Sequence, residues 1–314
     1  MQKIHIMGIL NLTPDSFYAG SQVSGADALS RIRQMWADGA DVVDLGACST
    51  RPGAPQPSIE EEWSRLEPVL TEMAGYSLPG DSGRFATSGP DHCPARPLCE
   101  RPASGPLPLP LSGGGQAPGR EYPAISIDTY RAEIVRRAYE TIGPFMVNDI
   151  SAGGMDPEML ETVGRLGLPY VAMHMRGTPE TMQSLTYYDD VVDAVIRYFR
   201  DFGKKAADAG IREWILDPGF GFAKTVEQNY ELLRRLDEIT QAFDRPVLVG
   251  LSRKSMIYKV LGITPEEAMP ATQVLNMAAL ERGATWLRVH DVVPAVRTAR
   301  LYSKMYTSSP GAEK

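Results

Sequence analysis

Eight apolar runs in this 314-residue chain end on residues that can bind or polarise a ligand. In chain order the ends read Asn11-Leu12-Thr13-Pro14-Asp15-Ser16-Phe17, Ser49-Thr50-Arg51-Pro52-Gly53, Asp128-Thr129, Asn148-Asp149-Ile150-Ser151, Met173-His174-Met175, Asp217-Pro218-Gly219-Phe220-Gly221-Phe222, Ser252-Arg253-Lys254-Ser255 and Arg288-Val289-His290-Asp291. Asp128, Asn148 and Asp217 supply acceptors, and a carboxylate takes two parallel N–H bonds from an amidine-like edge such as a 2-amino-4-oxo-pyrimidine. That edge belongs to pterins and guanines. Arg51, Lys254, Arg288 and His290 supply positive donors, with Ser252 and Ser255 flanking the lysine, and a planar arginine beside a histidine suits a phosphate group. For any single residue a cap or a loop hydrogen bond is the simpler reading. Asp217 before Pro218-Gly219 also reads as turn chemistry, Arg253 equally well as a surface cation, and His174 as a packed core histidine. Eight such ends together read as one binding site.

Other chemistries lack their signatures. There is no His-Glu-x-x-His, no Gly-x-Ser-x-Gly elbow and no Gly-x-x-x-x-Gly-Lys-Ser/Thr. A magnesium ion riding on a diphosphate needs only one protein oxygen, such as that of Asn11, with waters completing its shell. Lys254 sits between Arg253 and hydroxyls, which favours a donor role over the desolvated setting of a Schiff-base lysine. Cys48, Cys93 and Cys99 are odd in number and lack Cys-x-x-Cys spacing, so neither a disulfide framework nor a metal site with His92 is expected.

These ends must be carried by a scaffold. Short β-branched runs near 4–10, 41–45, 124–128, 145–148, 169–173, 214–216, 246–250 and 286–289 alternate with helical-period segments near 24–38, 58–74, 131–141, 156–166, 188–209, 226–240, 267–282 and 291–304. Ser58 with Glu61 forms a capping-box signature, and Asp156-Pro157 offers a cap with proline in the first turn. Strict alternation predicts an α/β fold, a (β/α)₈ TIM barrel, whose strand-end loops converge on one face. An open doubly wound sheet ranks second, because its first turn lacks Gly-x-Gly-x-x-Gly.

Residues 77–120 hold 9 of the 25 prolines and 8 of the 29 glycines. Such a stretch cannot bury enough apolar surface to offset the entropy of ordering, so a disordered insertion is expected between helix 2 and strand 3. It joins a helix to the next strand, on the face opposite the site. Its Pro-Leu-Pro-Leu-Pro run is read as passive loop, and its deletion is expected to leave activity nearly unchanged. A single domain over 1–306 with a flexible tail at 307–314 completes the expected organisation. The composition is 43% hydrophobic and 23% charged, with a net charge of −7, which fits a globular protein and disfavours nucleic-acid or anionic-membrane partners. No signal-peptide pattern or membrane-length apolar run occurs, so a cytoplasmic location is expected.

Taken in order, the segments Met7-Gly8-Ile9-Leu10-Asn11 through Phe17, Ser49 to Gly53, Asn148 to Ser151, Asp217 to Phe222, Ser252 to Ser255 and Arg288 to Asp291 closely resemble the dihydropteroate synthase family, from about residue 4 to 304 apart from the insertion. The resemblance implies condensation of 6-hydroxymethyl-7,8-dihydropterin diphosphate with p-aminobenzoate in folate synthesis, ionisation first, with Mg2+, a sulfonamide-sensitive site and a homodimer formed through the last helices. It implies that Asp128, Asn148, Asp217 and Lys254 hold the pterin, with Ile150, Met173, Phe222 and Gly250 lining its slot. Asn11 would meet magnesium, and Asn11, Thr50, Arg288 and His290 the diphosphate. Thr13, Pro14, Phe17, Ser49, Thr50, Arg51, Pro52 and Ser255 would form the aminobenzoate side; Lys254, Arg288, His290 and Asp128 are the expected catalytic set. Two departures are Tyr18-Ala19-Gly20 in the first loop and Ala47-Cys48 before the second. A pterin-dependent methyltransferase is disfavoured, because it has no diphosphate for the Ser-Thr-Arg-Pro-Gly and Arg-Val-His segments to bind. A non-catalytic pterin-binding paralogue is disfavoured because every matched position keeps the expected residue type.

Overall fold

The computed structural model describes residues 3–13, 25–48, 56–74 and 124–307. Strands β1 His5–Asn11, β2 Val42–Gly46, β3 Ile125–Asp128, β4 Met146–Asp149, β5 Tyr170–Met173, β6 Trp214–Asp217, β7 Leu248–Val249 and β8 Trp286–Val289 form one sheet in the order β6-β5-β4-β3-β2-β1-β8-β7. Every pair is parallel. A bridge between Leu216 and Val247 joins β6 to the approach of β7 and closes the ring. Helices α1 Gly25–Ala37, α2 Ile59–Ala74, α3 Ala132–Ile142, α4 Met159–Leu166, α5 Val191–Asp208, α6 Val226–Arg234, α7 Leu236–Ala242, α8 Ser255–Leu261, α9 Met269–Glu281 and α10 Val292–Thr307 lie between and after the strands. This is the expected (β/α)₈ barrel.

The strands read as apolar runs because both faces are covered. Every residue of β2, β3, β4, β5 and β6 is buried, as parallel strands between a helical layer and a barrel interior must be. One large cluster fills the space between sheet and helices. A second, smaller cluster of Met7, Val42, Met146, Val171, Ile215, Leu248 and Trp286 plugs the interior of the barrel itself.

The capping box at α2 is present in both halves: Ser58 N donates to Glu61 at 2.7 Å and Glu61 N to Ser58 Oγ at 3.2 Å. Asp156 behaves differently from the expected cap. It accepts from Glu158 N at 2.9 Å, but its other oxygen takes the N–H of Ala132 at 2.7 Å, so it serves the start of the neighbouring α3 as well. The segment expected as one helix over 226–240 breaks at Arg235, whose side chain is held by Asp190, Glu231 and Glu238. Helix α8 is additional to the expected elements. The expected insertion at 77–120 and residues 308–314 of the expected tail lie outside the described residues, while α10 itself reaches Thr307.

Candidate active site

Strand alternation builds the site. Side chains two residues apart share a face and stand about 6–7 Å apart along the strand. Two residues beyond the apolar plug, toward the C-terminal ends, come Asp44 after Val42, Asn148 after Met146, Met173 after Val171, Asp217 after Ile215, Gly250 after Leu248 and Arg288 after Trp286. A dry hydrophobic floor therefore carries a layer of polar side chains. Asp128 ends β3 in register with Gly46 and Asn148.

This layer is tied by charge. Arg288 Nε donates to Asp44 Oδ2 at 2.7 Å and Arg288 Nη2 to Asp128 Oδ2 at 2.8 Å, so one guanidinium bridges two carboxylates. Asn148 Nδ2 donates to the same Asp44 oxygen at 2.9 Å. Burial, with the negative Asp44 beside it and Arg288 opposing, raises the Asp128 carboxyl to about 7. Burial likewise raises Asp217, against the pull of Lys254. Asp217 Oδ1 accepts the N–H of Gly219 at 2.8 Å. The turn reading of Asp217 is therefore present in the structure, with one oxygen ordering the loop.

The loop after β6 is shaped by its glycines. Gly219 has φ +72, and a Cβ there would lie 2.0 Å from the carbonyl oxygen of His174. Inside the loop Lys224, buried, donates to Gly219 O at 3.0 Å and Phe222 O at 3.1 Å and meets His174 Nδ1 at 3.0 Å. His174 packs edge-on against Tyr198, and burial beside the Lys224 cation holds its imidazole far below the usual range. It is the packed residue its sequence context suggested. Phe222 joins Tyr130, Ile150, Met173, Met175, Met182 and Ala223 in an apolar cluster at the mouth.

Lys254, from the segment after β7, packs against the loop after β6. Its ammonium donates to Phe220 O and lies 4.9 Å from the centre of the Phe222 ring. Desolvation lowers it to about 8, although Asp217 favours its charge. The β6 loop packs against this half-buried lysine, and the donor role rests on the bond it makes to that loop. Gly250 lies between Lys254 and Arg288: a Cβ there would stand at ordinary contact distance, 3.8 Å from Lys254 Nζ and 4.0 Å from Arg288 Cβ. Ser252 Oγ contacts both His290 N at 3.2 Å and Nδ1 at 3.0 Å. His290 stays on the surface, and desolvation of its ring together with the cations Arg288 and Arg253 pushes it below its usual value. Arg253 forms a bidentate pair with Asp291 at 2.9 and 2.7 Å and does not face the site.

Asn11, at the end of β1, points its amide oxygen over Gly46. A Cβ on Gly46 would lie 3.2 Å from Asn11 Oδ1 and 4.0 Å from Asp128 Oδ2, so glycine keeps open a space rimmed by oxygen. The fold thus brings together Asn11, Asp128, Asn148, Ile150, Met173, Asp217, Phe222, Gly250, Lys254 and Arg288, with His290 at the edge, Thr13 just past β1 and Ser255 in the first turn of α8. Pro14, Phe17, Ser49, Thr50, Arg51 and Pro52 lie outside the described residues. Sequence reasoning missed Asp44 and Lys224. An isolated acid inside the apolar run Val42-Val43-Asp44-Leu45-Gly46 was a usable signal; the lysine after Phe222-Ala223 gave none.

A sequence model of the family described as pterin binding enzyme matches residues 7–79 and 119–290. The dihydropteroate synthase of Escherichia coli K12 is 37% identical over 300 residues, covering 95% of this chain and 90% of that protein. A crystal structure of Yersinia pestis dihydropteroate synthase with a sulfonamide drug complex superposes with a TM-score of 0.78 at 30% identity, covering 98% of this chain and 95% of the other. The Burkholderia cenocepacia dihydropteroate synthase complexed with 7,8-dihydropteroate gives 0.74 at 31% identity, covering 98% and 93%. Polar layer, barrel and relatives agree: the chain belongs to the dihydropteroate synthase family of pterin-binding enzymes.

Proposed function

We propose that this transferase joins 6-hydroxymethyl-7,8-dihydropterin diphosphate to p-aminobenzoate, giving 7,8-dihydropteroate and diphosphate. The observation that carries the reading is the convergence of Asp128, Asn148, Asp217 and Lys254 in one layer with Arg288. The carboxylates and the amide accept from the N–H edge of the pterin, Lys254 donates to its acceptor edge, and Ile150, Met173 and Phe222 flank the ring. Arg288 spends Nε and Nη2 on Asp44 and Asp128 and keeps Nη1 for the diphosphate. His290 adds an N–H donor: where Ser252 donates to Nδ1, the ring proton resides on Nε2.

The chemistry asks for leaving-group stabilisation and alignment. The carbon–oxygen bond breaks with its electron pair going to the diphosphate, and the resulting positive carbon is conjugated with the electron-rich dihydropterin. The amine lone pair then forms the carbon–nitrogen bond and its proton passes to solvent. An aromatic amine is already neutral at pH 7, so no strong base is required, and preorganised charge with in-line positioning supplies the acceleration. Magnesium would be held by Asn11 Oδ1 together with substrate oxygens, a donor set that suits a hard cation. When bound it would offset diphosphate charge. Among the described residues no three His, Cys, Asp or Glu converge on a metal site, so such an ion would depend on substrate oxygens.

A homodimer through α9 and α10 is part of the proposal. Val274, Leu301, Met305 and Tyr306 are 53–68% exposed on these two helices, which fits a covered face. Val274→Glu should shift the sedimenting species to monomer if that face is the interface. Among the described residues no helix is long and apolar enough to cross a membrane. Complementation tests the function: a strain lacking this step should grow without supplied folate products when it carries the gene, and failure to grow with the protein present and folded would count against the reading.

A further inference from the structure

Asp44 lies in the middle of β2 with no solvent exposure, so a bound substrate cannot touch it. Its Oδ2 accepts from Asn148 Nδ2 at 2.9 Å and Arg288 Nε at 2.7 Å, with Arg288 Nη2 also at 2.7 Å. Its Oδ1, equally buried, has no hydrogen-bond partner among the described residues. A carboxylate desolvated with half its acceptor capacity unspent is a poor way to stabilise a barrel. Among the described residues every bond it makes goes to a side chain of the polar layer. The consequences are directional. With one N–H of Asn148 committed downward, the amide cannot flip, so its oxygen and second N–H present a fixed edge to the mouth. With Nε of Arg288 held, the plane of the guanidinium is set, and Nη1 is the part left for a ligand.

We infer that Asp44 is a positioning residue for the pterin diphosphate half of the reaction, acting through Asn148 and Arg288. The inference rests on the dihydropteroate synthase reading above. Asp44→Asn keeps the size and removes the charge. Losing a charge-assisted bond to Arg288 and the enforced orientation of Asn148 should lower kcat/KM for the dihydropterin diphosphate about tenfold to a hundredfold. KM for p-aminobenzoate, measured at saturating pterin substrate, should stay within about threefold, because Asp44 acts only on residues of the pterin side.

Three readouts separate this role from a structural one: steady-state constants for each substrate, calorimetric titration with the pterin diphosphate alone, and the thermal midpoint. Positioning predicts a selective loss toward the pterin substrate in both kinetics and titration, with a melting midpoint close to wild type. Unchanged constants overturn the inference. So does an equal loss for both substrates that tracks a lowered midpoint. Should Asp44→Asn not fold, Asp44→Ser carries the same test by leaving room for solvent beside Arg288, and failure of both variants to fold also overturns it. Wild-type turnover reports separately on the reaction, and the ratio of pterin diphosphate affinities reports on Asp44 even where turnover is absent.

Discussion

Removing Arg288 tests both the electrostatics and the chemistry of the site. In Arg288→Ala the carboxylates of Asp44 and Asp128, each within 2.8 Å of that guanidinium, lose their shared counter-charge while remaining buried. Breaking a buried pair by removing one partner costs about 3–5 kcal/mol, and for a chain of this size each kcal/mol lowers Tm by roughly 2 °C or a little more. A drop of roughly 6–10 °C follows. In the wild type Arg288 opposes the rise of Asp128, so its removal lifts that carboxyl above about 7 and proton uptake relieves part of the repulsion; the melts therefore compare neutral with alkaline pH, where the loss should be larger. Turnover should fall on the order of 10² or more, the effect of deleting one preorganised electrostatic contact. Adding Asp44→Asn to Arg288→Ala should restore part of the lost Tm, since one uncompensated charge is gone, while turnover stays low. Calorimetric melts and initial rates on the two single variants and the double variant complete the cycle. Near-normal turnover in Arg288→Ala would refute the diphosphate role. An unchanged Tm, or additive losses in the double variant, would refute the charge bridge.

The remaining predictions use other parts of the site. The kcat/KM for the pterin substrate should rise with pH through about 7 as Asp128 ionises and fall through about 8 as Lys254 loses its proton, giving a narrow maximum between them. Lys254→Arg, always charged, should move the alkaline limb upward; a limb that stays put would reassign it. Because folding raises Asp128 from 3.8 to about 7, its ionisation opposes the folded state, and this contribution makes the protein less stable as pH climbs from about 4 to 7. Asp128→Asn should remove that slope in urea titrations. Asp291→Asn weakens the clamp on Arg253, a non-glycine residue at φ +55, and should cost about 1 kcal/mol of stability together with a higher KM for the pterin substrate, as Lys254 and His290 on the two joined loops drift apart. Gly219→Ala places a Cβ 2.0 Å from His174 O at positive φ and should cost about 3 kcal/mol or more; a mild effect in a melt would show that the β6 loop can open there.

The sequence disclosed the barrel because parallel strands covered on both faces leave unbroken apolar runs, and it disclosed the polar layer because each run stops on a residue that cannot be buried without a partner. Asp128, Asn148, Asp217 and Arg288 were legible on that ground alone. What those residues do to one another was not. The bridge from Arg288 to Asp44 spans 244 residues of sequence, and only the folded barrel, which sets β8 and β2 on either side of β1, brings the two within reach. The Asp217-Pro218-Gly219 turn was legible, but Lys224 holding the β6 loop from within, and Arg253 at positive φ pairing with Asp291, carry no local pattern. The break at Arg235, where the backbone turns to φ −109 and ψ 23, interrupts a run whose helical period continues through it, so periodicity alone could not announce it.

The measurement closest to the central claim is product formation by the purified chain. Supplied with 6-hydroxymethyl-7,8-dihydropterin diphosphate, p-aminobenzoate and Mg2+, it should yield 7,8-dihydropteroate and diphosphate in equal amounts by mass spectrometry and phosphate release. Tight binding of the pterin substrate with no coupled product, by a protein shown to be folded, would contradict the account.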